Sequence, residues 1–277
     1  MEKIIIPNKF FNVKDTLECG QTFRFKEYNK GYLVFSLDKV CYAYESGENV
    51  IIETEYKDYF YSFFDLSTDY EKIFNYANSR EEEILVTASS LGKGVRILKQ
   101  DAEEMLFSFI ISQNNFIKRI SSTIEKLCKK AGKKINSPFG SYYAFPTAQE
   151  MASLTENDYK DLGFGYRGSY FISLIQKINS GYDIEKLKTL NDNLLYSELL
   201  SLKGVGDKVA NCVMLFGFYK TKSFPVDTWI EKIYLEDFKG TIKDRTKIKE
   251  YFISRFQDYS GYIQQYLFYY KRSLEIK

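Results

Sequence analysis

A primary amine and a carboxylate carry the chemistry this sequence offers. Lys208 follows Gly204-Val205-Gly206-Asp207, and Asp227 stands a short helix and loop later in Phe224-Pro225-Val226-Asp227-Thr228. Two glycines separated by one apolar residue make a tight turn, because glycine accepts φ > 0 and lets another backbone approach closely. Leucine-rich residues 194–200 precede the turn, and Val209, Ala210, Val213 and Met214 open an apolar-periodic run after it. The spacing predicts helix, glycine hairpin, helix. The second helix presents free N–H groups and a positive dipole end, which suit a phosphate. An ammonium is disfavoured there, and a neutral amine is a nucleophile. Asp227 precedes Ile230, Ile233 and Tyr234 at helical spacing and reads as an N-cap. On the hairpin alone, a plain helix turn with a solvated lysine is the competing reading. The lysine and the Pro-Val-Asp together favour chemistry.

Composition narrows that chemistry. The chain has no histidine, which excludes His-based zinc sites, HExxH proteases and Ser-His-Asp triads. Proton transfer falls to Asp, Glu, Lys, Tyr or Cys. Cys19, Cys41, Cys128 and Cys212 are far apart, with no CxxC and no cluster of closely spaced ligands. No cofactor is expected. Net charge is only +2, but eleven acids face three bases over residues 45–83, and seven bases face one acid over residues 116–134. Such asymmetry fits one lobe turned to solvent and another to a polyanion, although charge runs are also ordinary solvated faces. Eight arginines among thirty-nine basic residues suggest that positions keeping arginine need its planar fork. No signal peptide or membrane-length apolar run is read, so a cytoplasmic location is expected; a monomer is expected as well.

The elements that must position these groups follow from periodicity. Residues 1–55 read as an antiparallel meander. Residues 22–26 and 32–35 flank a turn at Tyr28-Asn29-Lys30-Gly31, and residues 40–44 and 50–53 flank a second at Ser46-Gly47-Glu48-Asn49. Helical patterns follow over 56–64, 70–77 and 81–90, then a connector over 91–100. Residues 101–112 form the most apolar helix, with Asp101 and Glu104 at capping-box spacing. It runs into Ser112-Gln113-Asn114-Asn115, amides suited to a turn or groove. A basic helix over 116–130, short helices at 151–154 and 158–162, and helices over 168–180, 191–200 and 261–273 complete the reading. The expected class is α+β, mainly α. An N-terminal antiparallel sheet domain with helices (1–98) precedes a helical domain (99–277).

In order along nearly the full length, six segments resemble the 8-oxoguanine DNA glycosylases of the helix-hairpin-helix (HhH-GPD) superfamily. Gly20-Gln21-Thr22-Phe23-Arg24-Phe25 is similar to the family's Gly-Gln-Ser-Phe-Arg-Trp segment. The helix from Gln100 to Asn115 resembles its buried helix and double-asparagine turn. Leu162-Gly163-Phe164-Gly165-Tyr166-Arg167 resembles its Leu-Gly-Leu-Gly-Tyr-Arg loop. The hairpin, the Pro225-Val226-Asp227 aspartate and Gly261-Tyr262-Ile263-Gln264-Gln265-Tyr266-Leu267-Phe268 complete the set. Lys203 departs from a common proline, Thr22 and Phe25 replace Ser and Trp, and Trp229 replaces a phosphate-contacting histidine of vertebrate relatives.

The resemblance implies a bifunctional enzyme of base excision repair. Its duplex partner contains 8-oxoguanine, preferably opposite cytosine. Lys208 attacks C1′ and forms a Schiff base, and Asp227 stabilises the cationic sugar. Phe268 and Cys212 sandwich the extruded base, Gln264 reads its Watson–Crick edge, and the Gly20 carbonyl accepts from N7–H. Asn114 fills the hole left in the duplex, with Tyr166 wedged beside it, while Arg119 and Arg167 hold the orphaned cytosine. The amides of Gly204, Gly206 and Val209 hold a phosphate. The carbonyls of Leu200, Leu202 and Val205 bind a structural monovalent or divalent cation. On the residues alone, Cys212 and Phe268 could equally be core, and Arg119 part of a solvated face. A glycosylase for alkylated bases and a non-catalytic DNA-binding module are the alternatives.

Overall fold

The computed structural model describes residues 1–275. Five strands, β1 (Glu2–Pro7), β2 (Phe25–Tyr28), β3 (Gly31–Ser36), β4 (Lys39–Ser46) and β5 (Asn49–Thr54), form one antiparallel sheet in the order β1-β5-β4-β3-β2. Two-residue loops join β2 through β5. Asn29, Leu37 and Gly47 take φ of 50°, 53° and 58°, the left-handed conformation that matches strand twist. The buried sides of these strands close over α2 (Lys57–Phe63), whose Phe60 and Phe63 complete a separate apolar core with Phe64 and Leu98.

Between β1 and β2 the chain departs from the expected meander. Residues Val13–Glu18 form α1, capped by Asn12, and β2 begins at Phe25 rather than at Thr22. The intervening polar side chains reach across the molecule instead of joining a ladder. Gln21 Nε2 donates to the carbonyls of Thr16 (3.0 Å) and Arg96 (2.6 Å), and its Oε1 accepts from Leu98 N at 2.8 Å. Buried Arg24 donates to the carbonyls of Leu37 and Tyr143 and pairs with Glu104 at 3.3 Å. This segment is therefore a junction between sheet and helices.

The helices are α3 (Tyr70–Asn78), α4 (Glu83–Leu91), α5 (Ala102–Ser112), α6 (Ile117–Ala131), α7 (Ala148–Met151), α8 (Glu156–Asp161), α9 (Gly168–Asn179), α10 (Asp192–Leu200), α11 (Asp207–Phe216), α12 (Thr228–Glu236), α13 (Arg245–Phe256) and α14 (Ser260–Glu275). They share one large core that includes Tyr70, Ile73, Leu85 and Ala88, so by packing α3 and α4 belong with the helices that follow. Asp101 caps α5 by accepting from Glu104 N at 2.8 Å. The Glu104 carboxylate does not return the bond; it holds Arg24 and Leu37 N instead. Two elements lie outside the sequence reading. Strands β6 (Lys134–Ser137) and β7 (Gly140–Tyr143) pair as a small hairpin, with Tyr142 donating to the Asp38 carbonyl at 2.6 Å. Helix α13 buries Ile248, Phe252 and Phe256 from a mostly polar segment.

The final helix returns to the start of the chain. Tyr269 on α14 donates to Asp15 Oδ1 at 2.7 Å, and Arg272 donates to the Glu18 carbonyl, both on α1. Among the described residues no helix is long and apolar enough to cross a membrane.

Candidate active site

The glycine hairpin joins α10 to α11, and its two glycines do different work. Gly204 has φ of +84°, and a Cβ there would lie 2.3 Å from the Tyr170 ring. Gly206 is the N-cap of α11 with φ of −96°, and a Cβ there would meet nothing within 4 Å. No side chain caps α11, so its bare N-terminus leaves first-turn amides, Val209 among them, available to an anion. Gln113 Nε2 donates to the Gly204 carbonyl at 2.9 Å, tying the amide-rich turn after α5 to the hairpin. Asp207 is turned toward other partners: its carboxylate accepts from Tyr196, from Asn211 and from Lys249 Nζ at 2.7 Å. Sequence reasoning missed this network because Lys249 sits in a run of exposed charges.

Six residues from four stretches of chain, Gly20, Lys208, Cys212, Asp227, Gln264 and Phe268, line one small cavity of about 50 Å³. It opens onto a groove of about 600 Å³ that shares Gly20, Lys208, Asp227 and Phe268 and runs past Asn115, Lys118, Trp229 and Arg272. The 50 Å³ cavity has room for water rather than for a purine. The slot between Gly20 and Phe268 is narrow: a Cβ on Gly20, whose φ is +85°, would approach the Phe268 ring to 3.2 Å.

Lys208 projects from the first turn of α11, with Nζ 5.2 Å from the centroid of the Phe109 ring. Phe109 stacks on Phe216 at 5.6 Å, so the amine rests against an aromatic wall. Asp227 caps α12, its Oδ1 accepting from Trp229 N and Ile230 N at 3.0 Å each. Burial pushes the Asp227 carboxyl above the ordinary aspartate value, opposed by the Ile230 amide and by Lys208. Burial likewise pushes the Cys212 thiol up to about 11 against the pull of Lys208, so it packs as a neutral thiol. Gln264 is buried, its Nε2 donating to the Pro225 carbonyl at 3.2 Å and its Oε1 accepting from Gln265 Nε2 at 2.9 Å. Phe109 and Gln265 were not singled out from sequence, since an isolated residue on an apolar helix reads as core.

The second half of the site lies on the surface beside the groove. Asn114 is exposed with φ of 44°, and Tyr166 is 52% exposed. Arg167 is buried, and four of its donor bonds go to the carbonyls of Gln113, Phe164 and Asn114. Its guanidinium also lies 4.6 Å from the Tyr166 ring centroid. An arginine facing an orphaned base would keep its fork open; here it is already engaged in holding the asparagine turn. Arg119, exposed at the start of α6, is the reverse case. Among the described residues it is the one arginine whose guanidinium has no hydrogen-bond, ion-pair or ring partner. At the hairpin, the Leu202 carbonyl accepts from Val205 N at 3.0 Å, while Leu200 ends α10.

Residues 3–106 match the family model of the 8-oxoguanine DNA glycosylase N-terminal domain, and residues 107–256 match that of the HhH-GPD superfamily base excision DNA repair proteins. A Clostridium acetobutylicum 8-oxoguanine glycosylase/lyase, solved with double-stranded DNA containing cytosine opposite 8-oxoguanine, is 37% identical with a TM-score of 0.91, over 99% of this chain and 96% of that one. MBOgg1, solved with a low affinity DNA ligand, is 33% identical with a TM-score of 0.93 over the same shares. The Saccharomyces cerevisiae N-glycosylase/DNA lyase is 30% identical over 91% of this chain and 77% of its own. With both halves of the chain matched and the lysine and aspartate lining one cavity, the protein belongs to the 8-oxoguanine DNA glycosylase family of the HhH-GPD superfamily.

Proposed function

We propose that this protein releases 8-oxoguanine from duplex DNA through a lysine Schiff base and cleaves the strand at the resulting abasic site. The observation that carries the reading is the convergence of Gly20, Lys208, Cys212, Asp227, Gln264 and Phe268 on one cavity. The Lys208 amine attacks C1′ as the glycosidic bond breaks; the electron pair leaves with the base, which takes up a proton. Asp227, ionised and held by two backbone amides, stabilises the positive charge that develops on the sugar. Ring opening, in which O4′ takes the proton the amine gives up, leaves an imine between Lys208 and C1′; loss of a C2′ proton then expels the 3′ phosphate by β-elimination. An enzyme acting on a stacked base must first extrude it. Entry of a purine widens the Gly20–Phe268 slot, after which Phe268 stacks on one face of the base and Cys212 on the other.

The duplex is held by the free amides of α11 and of Gly204 and Gly206, with Asn114 and Tyr166 filling the gap. Arg119, whose fork is open, reads the opposite cytosine through N3 and O2. Arg167 holds the Gln113–Asn114 turn and offers its remaining donor. The neutral carbonyls of Leu200, Leu202 and Val205 suit a weakly held cation that would brace the hairpin. No cluster of acidic, cysteine or histidine ligands among the described residues offers a stronger site. The protein works as a monomer on cytoplasmic, nucleoid DNA. Borohydride trapping on a duplex with one 8-oxoguanine tests the reading: a covalent complex is expected with wild type and not with Lys208→Gln. Trapping only on alkylated duplex would assign another lesion class, and binding without trapping would leave a non-catalytic module.

A further inference from the structure

The residue beside the proposed base reader carries an unmet hydrogen-bonding demand. Gln265 is 4% exposed and lines the cavity, and its Oε1 is buried with no hydrogen-bond partner. The orientation of both amides is fixed by a neighbour that can only accept. The Pro225 carbonyl requires Nε2 of Gln264, which turns Gln264 Oε1 toward Gln265. Only Nε2 of Gln265 can meet that oxygen, so its own Oε1 is left over. Turning either amide over would set oxygen against oxygen. The other buried unpartnered polar atoms among the described residues belong to Arg80, Glu82, Tyr159 and Tyr266, none of which lines this cavity.

We propose that Gln265 supplies a second acceptor for the extruded base and locks the amide of Gln264, making it a specificity-determining residue for guanine-type lesions. This rests on the reading of the cavity as the base site. A guanine-type Watson–Crick edge carries two adjacent donors, the N1–H and the exocyclic N2 amino group. Gln264 Oε1 keeps one free lone pair beside its bond from Gln265, and Gln265 Oε1 keeps both. Two acceptor oxygens thus meet two donor groups, and the N2 amino group falls to Gln265. An adenine-type edge offers a lone pair at N1 and would set acceptor against acceptor. A buried acceptor with no partner in the protein rewards a base that brings the matching donor.

The test compares duplexes carrying 8-oxoguanine or 8-oxoinosine, which differ only in the exocyclic amino group, opposite cytosine in single-turnover release. Wild type is expected to release 8-oxoguanine about tenfold faster, the scale of one buried hydrogen bond. Gln265→Met, close in volume, is expected to slow 8-oxoguanine release about tenfold and to process the two bases nearly alike. A variant that keeps the wild-type ratio at any overall rate overturns the proposal, as does a wild type without preference. If thermal melting shows that Gln265→Met is unfolded, Gln265→Ala takes its place under the same criterion. A wild type that releases neither base would instead remove the reading of the cavity.

Discussion

The cavity proposed for the base and the turn proposed to face the duplex are built in opposite ways. In the cavity the polar groups are buried and oriented by one another: Gln264 by Pro225 and Gln265, Asp227 by the amides of α12. At the turn, Asn114, Tyr166 and Arg119 stand exposed, and the order lies beneath them in Arg167 and Gln113. Recognition of a single base demands fixed dipoles in a dry space, where misplacement is costly. Filling a gap in a duplex demands reach, and rigidity is needed only at the root of the reaching side chain. The contrast predicts that cavity substitutions act on chemistry, and turn substitutions on opposite-base choice or stability.

The largest effect belongs to Lys208. Lys208→Gln is expected to lose both base release and strand cleavage in gel-based assays while binding of damaged duplex persists; residual imine trapping would place the nucleophile elsewhere. Asp227→Asn comes next, with release slowed roughly 10²–10³-fold, as for loss of a charge-stabilising group. Asparagine caps helices as well as aspartate, so the fold should hold. Burial raises the folded-state carboxyl pKa, so the native state holds that proton more tightly than the unfolded chain. The charged form therefore costs stability at neutral pH, and the cost fades as pH falls through the raised pKa. Thermal melting at pH 7 should show Asp227→Asn at or above wild type. Wild-type release should begin to fall on acidification above the pH at which an ordinary aspartate titrates. A clearly lower melting point would make Asp227 chiefly a cap.

The two arginines sharpen the contrast further. Arg119→Ala should remove discrimination between cytosine and adenine opposite the lesion, a difference of about 1–3 kcal/mol by analogy with base readout in duplexes. Its melting curve should not move. Arg167→Met should instead destabilise the fold by about 1–3 kcal/mol, because carbonyls at Gln113, Phe164 and Asn114 lose their donor. An unchanged base ratio in the first variant, or an unchanged melt in the second, would erase the assigned division of labour. The smallest expected change is in ionic behaviour. Gln264→Ala and Phe268→Ala should weaken lesion processing yet leave the salt dependence of DNA binding as it was, since neither meets a phosphate. A shallower salt slope would move them to the backbone-binding surface.

Much of this arrangement was legible where physical demands are local. Asp101 before an apolar run, the glycines around Val205, and Asp227 before Ile230 each announce a backbone event that few other residues can make. Helix α13 and the β6–β7 hairpin were not legible, because their positions are mostly polar and their order comes from packing. The same logic divides the site. Lys208, Asp227 and Phe268 stand in segments with distinctive spacing. Gln113 and Gln265 act through single amides whose partners, Gly204 and Gln264, become apparent only when helices meet. Arg167 was visible as an unusual arginine, but not that its donors would face inward.

The meeting of α1 and α14 bears on when the enzyme comes into being during synthesis. Tyr269 and Asp15 lie 254 positions apart, and Gly20 and Phe268 face each other beside that contact. Chains emerge from the ribosome N-terminus first, at about 5–20 residues per second. The sheet, whose apolar core with α2 is its own, can order while α14 is still being made. The cavity cannot, because Phe268 and Gln264 are translated well after Gly20, Lys208 and Asp227, which they face. A nascent chain therefore carries the Lys208 amine before the cavity around it is complete.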